Sequence, residues 1–420
     1  MDKIKIRGAN RLVGNIDVSG AKNSLLPILA ATLLSDEECI IDNISNLKDV
    51  DTMIQILGCL GVLVRQEGKR LYIEPKEFLG NEASYELVKT MRASICILGP
   101  LLARKRKARV SLPGGCIIGR RPIDLHLKGL KSLGAKIECE HGYINAEASS
   151  LKGKRLYLGG PFGSSVLATA NVMMAATLAE GETYIEAAAS EPEIADLADF
   201  LNKMGAKIEG SGTPMIKIEG VEKLHGAEHS VIPDRIEAGT YMVAAAITGG
   251  DVFIKNARVE HLGAVIDALD NIGCIVNVEE GGIRIKADGR LGSSEITTLP
   301  YPGFPTDMQA QFMSLLAVSD GVSVITEKVF PERFIHVGEL NRMGADINLE
   351  GPTAIIKGVN GLSSADVMAS DLRASAALIL AGLIADGDTI ISRVYHLDRG
   401  YERIVEKLIG LGAHIERVKE

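Results

Sequence analysis

A chain of 420 residues exceeds what one ordinary hydrophobic core organises, so two or three globular units are expected. With 46% hydrophobic and 24% charged residues but only 4% aromatics and no tryptophan, the interior has to be built from aliphatic side chains and alanine. The net charge of −8 excludes a general nucleic-acid binder, no apolar run is long enough to span a membrane, and an anionic ligand must be met by a local cluster of cations.

Charged and apolar residues alternate from Met1 to Arg11 with no apolar run behind them, which argues against a signal peptide and for a cytoplasmic protein; Ile4 to Ile6 reads as a first strand. Ser19-Gly20-Ala21-Lys22-Asn23-Ser24 is a small-residue turn opening a helix. It lacks the G-x-x-x-x-G-K-[ST] frame of a phosphate loop, so no nucleotide triphosphatase follows. Lys22 at the positive end of a helix suits an anion, and a solvated charge is the competing reading. Leu26 to Ile41 and Ile97 to Val110 are irregular versions of a helix, a turn and a strand; Met173 to Ile185, Val243 to Ile254, Leu315 to Ile325 and Leu378 to Ile391 are regular ones.

A second element recurs half a period away, as Leu60-Gly61-Val62, Leu133-Gly134-Ala135, Met204-Gly205-Ala206, Ile272-Gly273-Cys274, Met343-Gly344-Ala345 and Leu411-Gly412-Ala413. Its glycines lie 73, 71, 68, 71 and 68 residues apart. Amphipathic spacing precedes them, as in Ile123, Leu127, Leu130 and Leu133 or Ile194, Leu197, Leu201 and Met204. Each glycine therefore reads as a helix C-cap, with a strand such as Lys136-Ile137-Glu138 after it. Six such units fill the chain and place it in the α/β (α+β) class, as two domains of three units with a break near Gly226 to Pro233.

Chemistry concentrates in Leu112-Pro113-Gly114-Gly115-Cys116-Ile117-Ile118-Gly119-Arg120-Arg121-Pro122-Ile123-Asp124. Glycines let this backbone approach a ligand, and the two arginines would lower the thiol pKa of Cys116. A hairpin loop with a solvated arginine pair has the same spacing. The other cysteines, Cys39, Cys59, Cys96, Cys139 and Cys274, are scattered in apolar surroundings with no metal-ligand spacing, as expected of a reduced protein with buried thiols. Thr90-Met91-Arg92-Ala93-Ser94, Pro305-Thr306-Asp307-Met308-Gln309, Ser370-Asp371-Leu372-Arg373-Ala374-Ser375 and His396-Leu397-Asp398-Arg399-Gly400-Tyr401-Glu402-Arg403 set further charges at turns between elements. Asp371 reads as an N-cap and Arg373 as an exposed first-turn residue.

These motifs, above all Pro-Gly-Gly-Cys followed by Arg-Pro-Ile-Asp-Leu-His at Arg121 to His126, resemble the enolpyruvyl transferases, and the likeness runs from Ser19 to Arg403. The resemblance implies a two-domain inverse α/β prism of six βαβαββ repeats, with residues 21–229 in one domain, 1–20 and 230–420 in the other, and the substrate in the cleft between them. It implies transfer of the enolpyruvyl group of phosphoenolpyruvate to the 3′-hydroxyl of UDP-N-acetylglucosamine for peptidoglycan synthesis, without metal or organic cofactor, by a monomer or weak oligomer. Lys22, Arg121 and Arg399 would hold phosphoenolpyruvate, supported by Arg92, Arg333 and Arg373. Asn23, Asp307 and the backbone at Val329 would position the amino sugar. Arg121, Pro122, Ile123, Asp124 and Leu125 with Ser165 and Val166 would meet the uridine diphosphate. Cys116 would be the catalytic thiol and Asp307 would orient or deprotonate the hydroxyl.

One departure stands out: the family usually has Ser-Val-Gly-Ala-Thr where this chain reads Ser165-Val166-Leu167-Ala168-Thr169, which also fits a paralogue that holds the UDP-sugar without turnover. The shikimate-pathway member of the superfamily lacks a catalytic cysteine at this loop, and an RNA-end-modifying enzyme of related architecture is disfavoured by the acidic charge.

Overall fold

One helix in each repeat is apolar along most of its length, with its charges near an end, and such a helix is stable when surrounded by protein. In the computed structural model, which describes all residues except 1, 9, 76–79, 84, 90, 113–122 and 420, these helices are the buried ones. Lys22–Ala31, Leu98–Lys105 and Val166–Ala176 form the interior of one compact unit, residues 20–232. Arg235–Ile247, Gln309–Leu316 and Leu372–Gly382 do the same in a second unit, residues 2–19 with 233–419. Each unit has its own aliphatic core.

The other helix of each repeat is amphipathic and ends on the glycine of the recurring motif. Gly61, Gly134, Gly205, Gly273, Gly344 and Gly412 all have φ between +92° and +105°, a conformation in which a Cβ is strained. Behind each, two backbone bonds close the helix in the same way. At Gly205, for example, Ala206 N–H donates to the Leu201 carbonyl and Gly205 N–H to that of Asn202, both at 3.0 Å. The C-cap reading thus holds at all six sites.

Among the described residues six four-stranded sheets accompany the helices. In the third repeat Arg155–Tyr157 runs parallel to Glu182–Glu186, which pairs antiparallel with Met215–Glu219, itself antiparallel to Lys207–Glu209. The helix between the parallel strands is the buried one, and the capped helix leads into the hairpin. This is the βαβαββ unit of the inverse α/β prism. Strand residues alternate as Thr183 and Ile185 do, buried toward the helices, with Glu182 and Glu186 at the open face.

Two sheets are completed from a distance. Lys3–Arg7 lies between Asp388–Ser392 and His414–Val418, and Val13–Asp17 runs parallel to Asp251–Lys255. Glu228–Ser230 runs parallel to Cys39–Asp42, so the segment read as a break holds a strand of the first unit's sheet. The irregular helices of the first two repeats have a local cause: Pro27 sits inside Lys22–Ala31, and Pro100 follows a 3-10 stretch, Arg92–Ile97, at the head of Leu98–Lys105. Among the described residues no helix is long and apolar enough to cross a membrane.

Candidate active site

In the unit of residues 233–420, Asp307 lies in the 3-10 turn Thr306–Met308 that opens the buried helix Gln309–Leu316. Its Oδ1 is 2.8 Å from Nη1 of Arg333 and its Oδ2 3.1 Å from Nη2 of Arg373. Both arginines are buried, whereas Asp307 keeps 26% of its side chain exposed. Burial alone would raise the Asp307 pKa, but the two guanidinium charges and their hydrogen bonds overcome it and hold the carboxyl well below the usual range. This carboxylate stays ionised, with a side chain still reachable.

Each arginine is aimed by its own surroundings. Asp371 caps helix Leu372–Gly382 by accepting from the N–H of Arg373 (2.8 Å) and Ala374 (3.1 Å). The Arg373 guanidinium lies 5.3 Å from the centre of the Tyr401 ring, and its Nη1 is buried without a hydrogen-bond partner among the described residues. Arg373 is therefore a buried residue held by Asp307, which corrects its reading as an exposed first-turn arginine. Arg333 Nη1 also donates to Thr306 Oγ1 (3.0 Å), and Thr306 donates to Glu327 (2.9 Å). Glu327, fully buried, accepts from Thr298 Oγ1 at 2.6 Å and from the N–H groups of Val329 and Phe330 at 2.8 Å each. Those bonds fix the backbone at Val329. Behind Asp307, Gln311 donates to its carbonyl (2.8 Å) and to the Tyr401 hydroxyl (3.2 Å). Arg399, half-buried, ends the 3-10 segment Val394–Arg399, and burial together with its charge lowers the pKa of nearby His396.

In the unit of residues 20–232, Lys22 is the first residue of helix Lys22–Ala31 and is buried, its Nζ 2.9 Å from Oδ2 of buried Asp49. The solvated-charge reading of Lys22 is thereby overturned. Ser24, two residues on, donates to Asp196, which also meets His229 Nε2 at 2.9 Å and accepts from the N–H of Ile232 at 3.3 Å. This network fixes the first helical turn on which Asn23 stands, half-buried. Arg92 heads the 3-10 stretch Arg92–Ile97; Ile123 precedes helix Asp124–Ser132, with Leu125 half-buried and Asp124 exposed in its first turn. Ser165 caps Val166–Ala176, its Oγ 3.4 Å from the N–H of Ala168, and Val166 and Leu167 are half-buried and packed against the core. Cys116, Arg121 and Pro122 lie outside the described residues.

Helix starts carry partial positive charge and unsatisfied N–H groups. Lys22, Ser165, Val166, Asp307 and Arg373 all stand at such starts, so cations and helix ends together favour anionic ligands. The sequence profile of EPSP synthase (3-phosphoshikimate 1-carboxyvinyltransferase) matches residues 6–408. The chain belongs to this family of carboxyvinyltransferases. Among its relatives, UDP-N-acetylglucosamine 1-carboxyvinyltransferase of Geobacter metallireducens is 56% identical over 420 residues, covering all of both chains. The protein of the same name from Methylacidiphilum infernorum is 55% identical over 418 residues, covering 100% of this chain and 99% of its own. A crystal structure of an enolpyruvyl transferase from Streptomyces tendae superposes with a TM-score of 0.90 at 25% identity, covering 100% of this chain and 99% of that one.

Sequence reasoning missed Asp49 and Glu327, and named Thr306 and Tyr401 only within their segments, without the part they play in holding the named side chains. Asp49 looks like an ordinary first-turn acid of Lys48–Cys59, and nothing in the local pattern around Glu327 marks a buried carboxylate. The cysteine expectation also needs correction: Cys39, Cys96 and Cys274 are buried, but Cys59 at a helix end and Cys139 near the end of strand Lys136–Glu140 are exposed. Among the described residues no group of His, Cys, Asp and Glu gathers at metal-ligand spacing.

Proposed function

We propose that the protein transfers the enolpyruvyl group of phosphoenolpyruvate to the 3′-hydroxyl of UDP-N-acetylglucosamine with release of phosphate, the first committed step of peptidoglycan synthesis, in the cytoplasm. The observation that carries this reading is the Asp307 carboxylate, kept ionised between Arg333 and Arg373 and partly exposed, in a chain whose full-length relatives bear that activity in their names. An ionised carboxylate accepts a hydrogen bond from a sugar hydroxyl and turns its oxygen lone pair toward the carbon to be attacked. Because the two arginines stabilise the charged form, orientation comes first, with the proton taken only as the new C–O bond forms.

Cys116 donates a proton to the methylene carbon of phosphoenolpyruvate, which leaves an oxocarbenium-like centre at C2. The 3′-oxygen adds there and gives a tetrahedral ketal; loss of phosphate and of a proton from the methyl group regenerates the vinyl ether. Lys22, Arg121 and Arg399 hold the phosphate and carboxylate of phosphoenolpyruvate, with Arg92, Arg333 and Arg373 adding to the positive field. Asn23 and the backbone at Val329 place the amino sugar. Residues 121–125 with Ser165 and Val166 receive the uridine diphosphate.

Phosphate release from phosphoenolpyruvate tests the reading when it is measured alone, with UDP-N-acetylglucosamine and with 3-phosphoshikimate. Release is expected only with the nucleotide sugar. Turnover with 3-phosphoshikimate, or with neither acceptor, would overturn it.

A further inference from the structure

Asn171 is fully buried in the middle of helix Val166–Ala176, and all the polar atoms of its side chain are engaged. Its Oδ1 accepts from the N–H of Gly99 (2.5 Å), and its Nδ2 donates to the carbonyl of Ile95 (2.8 Å). These two backbone groups, one a donor and one an acceptor, leave the amide a single orientation. The same Nδ2 lies 3.0 Å from Nδ1 of His126, in the first turn of Asp124–Ser132. An amide nitrogen has no lone pair to offer, so Nδ1 must be the acceptor and the ring proton sits on Nε2. His126 is 5% exposed; burial, reinforced by the charge of Arg92, lowers its pKa to about 3. The fit is tight: a Cβ on Gly99 would lie 2.2 Å from the Asn171 carbonyl oxygen and 2.5 Å from Oδ1.

Three segments meet at this amide. One begins with Arg92, one with Asp124 and Leu125, and one with the Ser165 cap and Val166. We propose that Asn171 and His126 are positioning residues for nucleotide-sugar binding: the fixed amide holds His126 as the neutral Nε2-protonated tautomer, and the pair sets the two helix starts that receive the uridine diphosphate. The inference rests on the function proposed above. It gives the buried histidine a role as a neutral acceptor, with no part in proton transfer.

The test pairs a spectroscopic readout with kinetics on the full-length enzyme. Imidazole nitrogen NMR is expected to show His126 protonated on Nε2 alone and unchanged from pH 5 to 9, whether or not the enzyme turns over the expected acceptor; a proton on Nδ1, or titration in that range, would overturn the assignment. His126→Leu removes the acceptor while nearly keeping volume, and is expected to raise KM for UDP-N-acetylglucosamine at least about tenfold with KM for phosphoenolpyruvate within about threefold. His126→Gln restores a neutral acceptor and should recover most of that loss. Equal behaviour of the two variants, or a fall in melting temperature with both KM values unchanged, would reduce the pair to a packing role and defeat the proposal. Failure of the wild-type protein to use UDP-N-acetylglucosamine would instead defeat the functional reading.

Discussion

Removing the carboxylate of Asp307 leaves two buried guanidinium groups facing each other, so Asp307→Ala is expected to act on both rate and stability. The rate should fall at least about a hundredfold, the usual minimum for a positioned acid or base. Breaking a buried ion pair costs about 3–5 kcal/mol, and the partial exposure of Asp307 puts the loss near the lower end. Steady-state kinetics and urea unfolding check the two parts; near-normal kcat would make Asp307 structural only. The thiols divide as sharply. Burial pushes the pKa values of Cys39, Cys96 and Cys274 up to about 11, 12 and 12, so none of them is a thiolate at neutral pH. A neutral alkylating reagent should reach exposed Cys59 and Cys139, whereas a small anionic epoxide should label Cys116 alone, where arginines adjoin the thiol in sequence. Peptide mapping decides it; epoxide on Cys59 would sink the assignment. Cys116→Ala should abolish turnover and Cys116→Asp retain some, since a carboxylic acid can also donate the proton.

At the scale of the element, the first turn of Val166–Ala176 carries Leu167, where the family resemblance leads to an expectation of glycine. The side chain is half-buried and packs against the core, so it contributes to stability. Leu167→Gly is expected to leave KM for UDP-N-acetylglucosamine within about threefold and to cost about 1–2 kcal/mol, from lost burial and glycine in a helix. A tenfold fall in KM, about 1.4 kcal/mol, would show that Leu167 obstructs the site and would favour a binding role over turnover. The irregular repeats belong to this scale too. Pro27 and Pro100 interrupt backbone bonding in the helices that carry Lys22 and follow Arg92, which hid their regularity from a search for apolar spacing.

For the whole molecule, the unit of residues 233–420 is completed by the chain's other end. Lys3–Arg7 is an interior strand of its sheet, and Ser19 is tied in by Glu237, Glu402 and Lys407 at 2.7–2.8 Å. Deleting residues 2–8 should strip both neighbouring strands of their partner and leave the protein insoluble, or lower the melting temperature by more than about 10 °C. An unchanged melting curve would contradict the pairing. Acid should also act globally. His126 has a folded-state pKa lowered to about 3 by burial, so its contribution to stability is complete above the unfolded value of about 6.5 and is lost as pH falls through that window. Asp307, also depressed, loses its contribution only below its unfolded value of about 3.9. Between pH 6 and 4 His126 shares the dependence with buried His336, whose pKa is lowered to about 4, and His126→Gln should reduce the slope of unfolding free energy by about 1.4 kcal/mol per pH unit. Denaturant titrations across that range measure it.

The repeat, its six caps and the alternation of its strands were legible in the chain because each depends on residues within a turn or two of one another: a glycine that alone accepts φ near +100°, apolar positions at helical spacing, a strand with one face to bury. The named cations and the carboxylate were legible only as isolated charges at turns, interpreted through a family likeness. Their state was decided by partners far along the chain: Asp307 and Arg373 are 66 residues apart, Lys22 and Asp49 27. Whether a charge is solvated or buried, and whether a cysteine such as Cys59 faces water, depends on what the fold packs against it. Desolvation and ion pairing act over a few ångströms of space, and only tertiary structure brings those distances about.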